Sequence, residues 1–229
     1  MSILLDCLRK NPDLPEIQKI ITQNPDSICY EDVSGDCALH TAAYWCNKAD
    51  VIKFLIQLCP KLLWKKQING YYPIHEALEK NPNPNIIKIF IDNMGISDIS
   101  KIKHRSNKSL LHFAAQNSHL GVFGIIFNLD PQAIYHKNNQ GLLPNFYAIW
   151  ETNMGSRNYC HILPILKKLI NPKIASICIP RTGNLPLHLI VDRISICDKE
   201  SSYLPLVKWI FTQNPGAILK KNLDGKTPL

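Results

Sequence analysis

Five prolines in this 229-residue chain are each followed, ten or eleven residues on, by a glycine. The pairs are Pro25 and Gly35, Pro60 and Gly70, Pro131 and Gly141, Pro172 and Gly183, Pro215 and Gly225. Three of the glycines open a Gly-x-x-Pro phrase: Gly70-Tyr-Tyr-Pro73, Gly141-Leu-Leu-Pro144 and Gly183-Asn-Leu-Pro186. The last residues, Gly225-Lys-Thr-Pro-Leu229, form another. A phrase copied this often marks a structural repeat, and a repeat decides the architecture before any local propensity does.

The histidines measure the same period. His40, His75, His112 and His188 each sit two residues after the proline slot, with Phe146 filling the corresponding place between the last two. Successive steps are 35, 37, 34 and 42 residues. Small or apolar residues follow the slot: Ala42-Ala43, Ala77-Leu78, Ala114-Ala115, Ala148-Ile149 and Ile190-Val191. The glycine permits the positive φ of a tight hairpin. The proline suits the first turn of a helix, where its missing N–H is no loss. A second apolar segment then recurs at helical spacing, as in Val51-Ile52-Phe54-Leu55 and Leu163-Ile165-Leu166-Leu169. That spacing argues against strands. The next proline is expected to stop the second helix.

Together these phrases resemble the ankyrin repeat, whose motif is T-P-L-H-x-A at a period near ~33 residues. The resemblance runs over roughly residues 25–229. It implies an all-α ankyrin-repeat solenoid, with helix-turn-helix units joined by β-hairpin-like loops. Residues 1–30 read as a degenerate capping helix pair and 31–229 as the repeat domain. Repeats are expected at about 31–66, 67–103, 104–137, 138–178 and 179–221, with a truncated one at 222–229. Polar insertions near Thr152–Asn158 and Ser195–Ser202 should be loops between helices. Asn107 stands where glycine is expected and can take its left-handed φ. The chain ends before the helix its last phrase should begin, so further repeats or another domain are expected to follow.

Composition narrows the chemistry. The formal charge is +8, yet Arg is scarce and the lysines are not interleaved with aromatics, which disfavours nucleic acid. Lys66, Lys103, Lys137 and Lys221 lie four residues before their Gly or Asn, predicting a basic row at the base of the hairpins. No segment approaches ~18 uninterrupted apolar residues, so no membrane span is expected. No Sec leader is visible. Eight scattered cysteines lack a C-x-x-C pair and read as buried free thiols, with Cys29 and Cys178 in the same slot. No metalloprotease, nucleophile-elbow or phosphate-loop motif is present, so no catalytic residue, cofactor or metal is assigned. The histidines are expected to bridge to backbone groups of the adjoining hairpin.

The resemblance implies protein binding without bond chemistry, on the concave face formed by hairpin tips and first helices. By register that face carries Thr41, Tyr44, Trp45, Glu76, Glu79, Phe113, Gln116, Asn117, Tyr147, Trp150, Asp192 and Arg193. Hairpin tips add Asn69, Arg105, Gln140 and Thr182. Aromatics at such positions favour an interface. The Ile-, Asn- and Lys-rich composition and irregular repeats resemble ankyrin effectors that intracellular bacterial pathogens deliver into host cells. That likeness implies a monomer acting in the host cytosol or nucleus on a host protein. Two alternatives stand beside it: the targeting part of an enzyme with a catalytic domain after residue 229, and a eukaryotic or viral scaffold protein.

Overall fold

The computed structural model describes residues 2–81, 83–95, 99, 102–117, 119–151, 162–194 and 200–229. The chain forms two compact units, residues 1–105 and 106–229. The inserted residues 152–161 and 195–199 lie outside the described residues.

In the first unit the helices are α1 (Ile3–Leu8), α2 (Leu14–Gln23), α3 (Ala38–Trp45), α4 (Ala49–Leu58), α5 (Pro73–Lys80) and α6 (Pro84–Met94). The short first helices stack as α1 on α3 on α5, and the second helices as α2 on α4 on α6. Helix α3 can be enclosed because Ala38, Ala42 and Ala43 have no side-chain bulk to keep its neighbours away, and all three are fully buried. Helix α4 instead buries one stripe, Val51, Ile52, Leu55 and Ile56, and turns Lys53 and Gln57 to solvent. Each such aliphatic side chain contributes about 1.5–3 kcal/mol when removed from water.

The second unit repeats the arrangement with α7 (Leu110–Asn117), α8 (Leu120–Leu129), α9 (Pro144–Glu151), α10 (Ile162–Leu169), α11 (Pro172–Ala175), α12 (Pro186–Ile194) and α13 (Glu200–Gln213). Helices α7, α9 and α12 stack in that order, while α8 packs on α10. Two sequence expectations change here. Ser201 and Ser202 belong to α13 rather than to an inserted loop. The repeated prolines do more than stop helices: Pro25, Pro60, Pro131 and Pro215 each open a 3-10 turn, and Pro172 opens α11. The fixed φ and missing N–H of proline suit the first position of such a turn.

Each hairpin is a short finger closed largely by one side chain. Asp32 Oδ1 accepts the N–H groups of Ser34 and Asp36 at 2.9 and 3.0 Å. Asn138 does the same for Gln140 and Leu142, and Asn222 for Asp224 and Lys226. Neighbouring tips are tied by single backbone bonds, Ile68 N–H to Ser34 O, Asn139 N–H to Ser106 O and Leu223 N–H to Thr182 O, each 2.9 Å. With so few ladder bonds, no extended strand forms among the described residues. Asn107 has φ +60°, the left-handed conformation expected of it.

The histidine slot joins helix to finger. Each ring accepts its own helix-entry N–H at Nδ1: Cys37 N–H to His40 at 3.3 Å, Tyr72 N–H to His75 at 3.0 Å, Ser109 N–H to His112 at 3.1 Å and Leu185 N–H to His188 at 3.2 Å. The Nε2–H of His40, His112 and His188 donates to the carbonyls of Tyr71, Leu142 and Lys226, at 3.0, 3.1 and 3.2 Å. Those three oxygens also accept the N–H that closes the finger, from Gln67, Asn138 and Asn222. Burial favours the neutral ring in His112 and His75, driving the former down to about 4 and the latter to about 3, helped by charge repulsion from His136 and Lys108 on His112 and from His104 on His75.

The unfolded chain protonates these rings near 6.5, whereas the native rings resist the proton until about 4 or lower. Stability present above pH 6.5 is therefore lost as pH falls, at about 1.4 kcal/mol per pH unit for each ring. His112→Ala should cost roughly 2–3 kcal/mol at neutral pH, because a buried Ser109 N–H loses its acceptor. It should also flatten the acid dependence, both effects being read from urea midpoints at several pH values. A second comparison concerns the fingers. An added Cβ at Gly183, φ +70°, would lie 2.8 Å from Leu223 N, whereas at Gly225, φ +76°, it meets nothing within 4 Å. Gly225→Ala should cost only the backbone term, about 1–2 kcal/mol, and Gly183→Ala measurably more in the same denaturation assay.

Candidate functional site

A short first helix packed against a neighbouring first helix and its own second helix has little surface left, and this governs which expected binding residues reach solvent. Thr41, Glu76, Phe113 and Tyr147, expected to face a partner, are buried, with 9 % exposure or less. Their position directly after the histidine slot points them into the stack rather than out of it, so that expectation is corrected. The residues that reach solvent lie at helix C-termini and finger tips. Trp45, Asn69, Arg105, Gln140, Thr182 and Asp192 are exposed, and Tyr44, Glu79, Gln116, Asn117 and Trp150 are half-buried. The side chain of Arg193 lies outside the described residues.

In the first unit the Tyr44 and Trp45 rings lie 4.7 Å apart at the end of α3, and Trp45 keeps 52 % of its surface exposed. With Asn47, Lys80, Asn81, Asn83 and Pro84 they line an open cleft of about 460 Å³. The cleft wall is braced by cross-repeat amides: Asn81 Nδ2 donates to Cys46 O at 2.6 Å and Asn83 Nδ2 to Asn47 Oδ1 at 2.7 Å. Lys80 stands 5.9 Å from the Tyr44 ring centroid and pairs with Glu79 at 3.2 Å. Sequence reasoning did not single out these amides as part of a site. The signal that could have found them is asparagine recurring just past the ends of first helices, here Asn47 after α3 and Asn81 and Asn83 after α5.

In the second unit the Tyr147 and Trp150 rings meet edge to face at 5.4 Å. Trp150, Gln140 and Thr182 line a smaller cleft of about 250 Å³ with Leu142, Ile179, Arg181, Asn184 and Leu189. Lys108 Nζ sits 4.3 Å from the Tyr147 ring centroid and 5.3 Å from that of Phe113. The expected basic row is partly engaged already: Lys66 lies over the Tyr72 ring, and Lys65 beside it pairs with Glu31 at 2.6 Å.

Among the described residues, no group of three or more His, Cys, Asp or Glu could hold a metal ion. Cys37 Sγ lies 3.1 Å from His40 Nδ1, but the pair is buried and burial raises the thiol, so the group is a helix cap rather than a thiolate. Cys7, Cys37 and Cys46 are buried free thiols, whereas Cys29 and Cys178 are exposed, against expectation. Cys29 ends the turn Pro25–Cys29, in which the preceding Ile28 is the buried apolar side chain. Cys160 and His161 lie outside the described residues.

Glu76 is a buried acid at the expected site. Its Oε1 accepts from Gln67 Nε2 at 3.3 Å. Burial pushes its carboxyl up to about 7, with the charges of Asp36 and Glu79 adding to the rise. The native state thus holds this proton where the unfolded chain, titrating near 4.5, releases it. Stability is lost as pH rises from about 4.5 to about 7. Glu76→Gln should therefore stabilise the protein by about 1–2 kcal/mol at neutral pH and by much less at pH 4.5, as thermal melts at the two pH values would report.

Residues 39–140 match the family model described as ankyrin repeats (3 copies), a span that takes in His40, His75 and His112. No curated protein matches the chain. No helix among the described residues is long and apolar enough to cross a membrane. The stacked helix pairs and closed fingers, together with that match, make this an all-α ankyrin-repeat fold, and ankyrin repeats are a protein-protein interaction module.

Proposed function

We propose that this domain captures a protein partner through the exposed aromatic end of α3, with Tyr44 and Trp45 as anchors. The observation that carries the reading is a tryptophan 52 % exposed beside an open cleft, in a repeat that buries nearly everything else on its first helix. A large aromatic left in water contributes little to folding but supplies much of an interface's affinity, and binding hot spots favour Trp, Tyr and Arg. The braced amides around the cleft limit the ordering cost on association. A partner covering this face would bury ~800 Å² on the domain side.

The finer role follows as part of the same proposal: the partner is a host cytosolic protein and the domain belongs to a delivered effector. What supports it is the Ile-, Asn- and Lys-rich composition and the irregular, insertion-bearing repeats.

The test is affinity capture from eukaryotic cytosol with the wild-type chain and a Tyr44→Ala, Trp45→Ala double variant, after both are shown to melt alike. A partner retained by the wild type should be depleted roughly tenfold or more on the variant, since hot-spot losses of ~1.4 kcal/mol and above are common. Equal recovery on both would overturn the role of this cleft.

A further inference from the structure

The two units differ sharply in charge. Residues 106–229 carry thirteen Lys and Arg against six Asp and Glu, a net +7, whereas residues 1–105 carry thirteen against twelve, a net +1. Nearly all of the chain's +8 therefore belongs to the unit that holds the Trp150 cleft.

That cleft has a layered composition. Its floor is apolar: Leu142, Ile179 and Leu189 are each buried, and Trp150 forms one wall. Its rim is polar and comes from finger tips, namely Gln140, Arg181, Thr182 and Asn184. The rim is held in place before any ligand arrives. Thr182 Oγ1 accepts Asn184 N–H at 3.2 Å, Thr182 O accepts Leu223 N–H at 2.9 Å, and Asn184 Oδ1 accepts Asn222 Nδ2 at 2.7 Å. Beyond the wall, Trp150 touches Tyr147, and Lys108 lies over the Tyr147 ring. One cation, Arg181, thus lines the cleft with Trp150, and a second, Lys108, lies over the Tyr147 ring that Trp150 touches. The volume of about 250 Å³ falls below the ~300–1,000 Å³ of ordinary small-molecule pockets, and suits one large side chain of an extended segment.

From these features we infer that the cleft receives an acidic peptide segment of a partner protein, with one aromatic or aliphatic side chain inserted against Trp150 and flanking carboxylates facing Arg181 and Lys108. The inference rests on the protein-binding reading and adds the chemistry of the bound segment. Opposite charge accelerates the encounter and orients it, while the apolar anchor supplies the contact area that bulk charge lacks.

The test uses the full chain and a short fluorescein-labelled peptide of Glu and Asp around a single Phe, read by fluorescence anisotropy. A control peptide replaces the Phe by Ser at the same charge. The Phe peptide should bind at least roughly tenfold more tightly than the control, with affinity that falls as salt is raised. Arg181→Glu, an exposed change on a finger tip, should weaken binding by roughly tenfold or more with an unaltered melting curve. Trp150→Ala should abolish the preference for Phe over Ser. Equal binding of the two peptides would overturn the inference by reducing it to bulk charge. Unchanged affinity in Arg181→Glu would overturn it too, as would a homopolymeric RNA that displaces the Phe peptide at matched charge. Absence of peptide binding alongside capture that depends on Tyr44 and Trp45 would remove this inference alone and leave the protein-binding reading intact.

Discussion

A neutral imidazole with both nitrogens occupied clasps one repeat to the next. In His40, His112 and His188 one nitrogen receives the N–H at the entry of its own helix, and the other reaches the carbonyl that closes the following finger. The reach spans 30 to 38 residues of sequence, yet is local in space. No other side chain offers one acceptor and one donor at opposite corners of a rigid ring. The clasp works only uncharged, because a protonated ring would have two donors and no acceptor for the helix N–H. In His40 and His112 burial favours that state, lowering the rings' hold on a second proton at the cost of sensitivity to acid.

Around this clasp, the other recurrent positions have coherent roles. The small residues behind the histidine let first helices approach closely enough for the ring to span between repeats. The residue three before the glycine, Asp32, Asn138 or Asn222, turns the finger with its own oxygen rather than with a long strand ladder. The finger tip is consequently a small, fixed platform. Its outward groups, among them Gln140, Arg181 and Thr182, are set in place without a supporting sheet.

The same packing rations the surface. First helices packed against a neighbouring first helix and their own second helix expose little of their middles, so Thr41, Glu76, Phe113 and Tyr147 are buried. What remains for recognition is the helix C-terminus and the tip. Each unit has a cleft there with a tryptophan in its wall, one open and amide-rimmed around Trp45, the other smaller and bordered by Arg181 around Trp150.

The period, the helix pairs and the backbone role of the histidines were legible without coordinates, because each depends on residue types repeated in register: a glycine or Asn107 for left-handed φ, a proline for the helix start, an imidazole for the clasp. Repetition lets one local rule be read several times over, which is why the fold emerges from the chain so directly. The site was less legible. Register identifies which helix a residue occupies, but exposure depends on what the neighbouring copies cover, and no single repeat encodes that. Tertiary packing alone decided that Phe113 is interior while Trp45 is wet, that Arg181 rather than Arg105 borders an apolar cleft, and that the Glu76 carboxyl sits among other acids in a poorly hydrated place. Those outcomes are set by side chains brought together from separate copies, where desolvation and charge act over distances that linear order does not reveal.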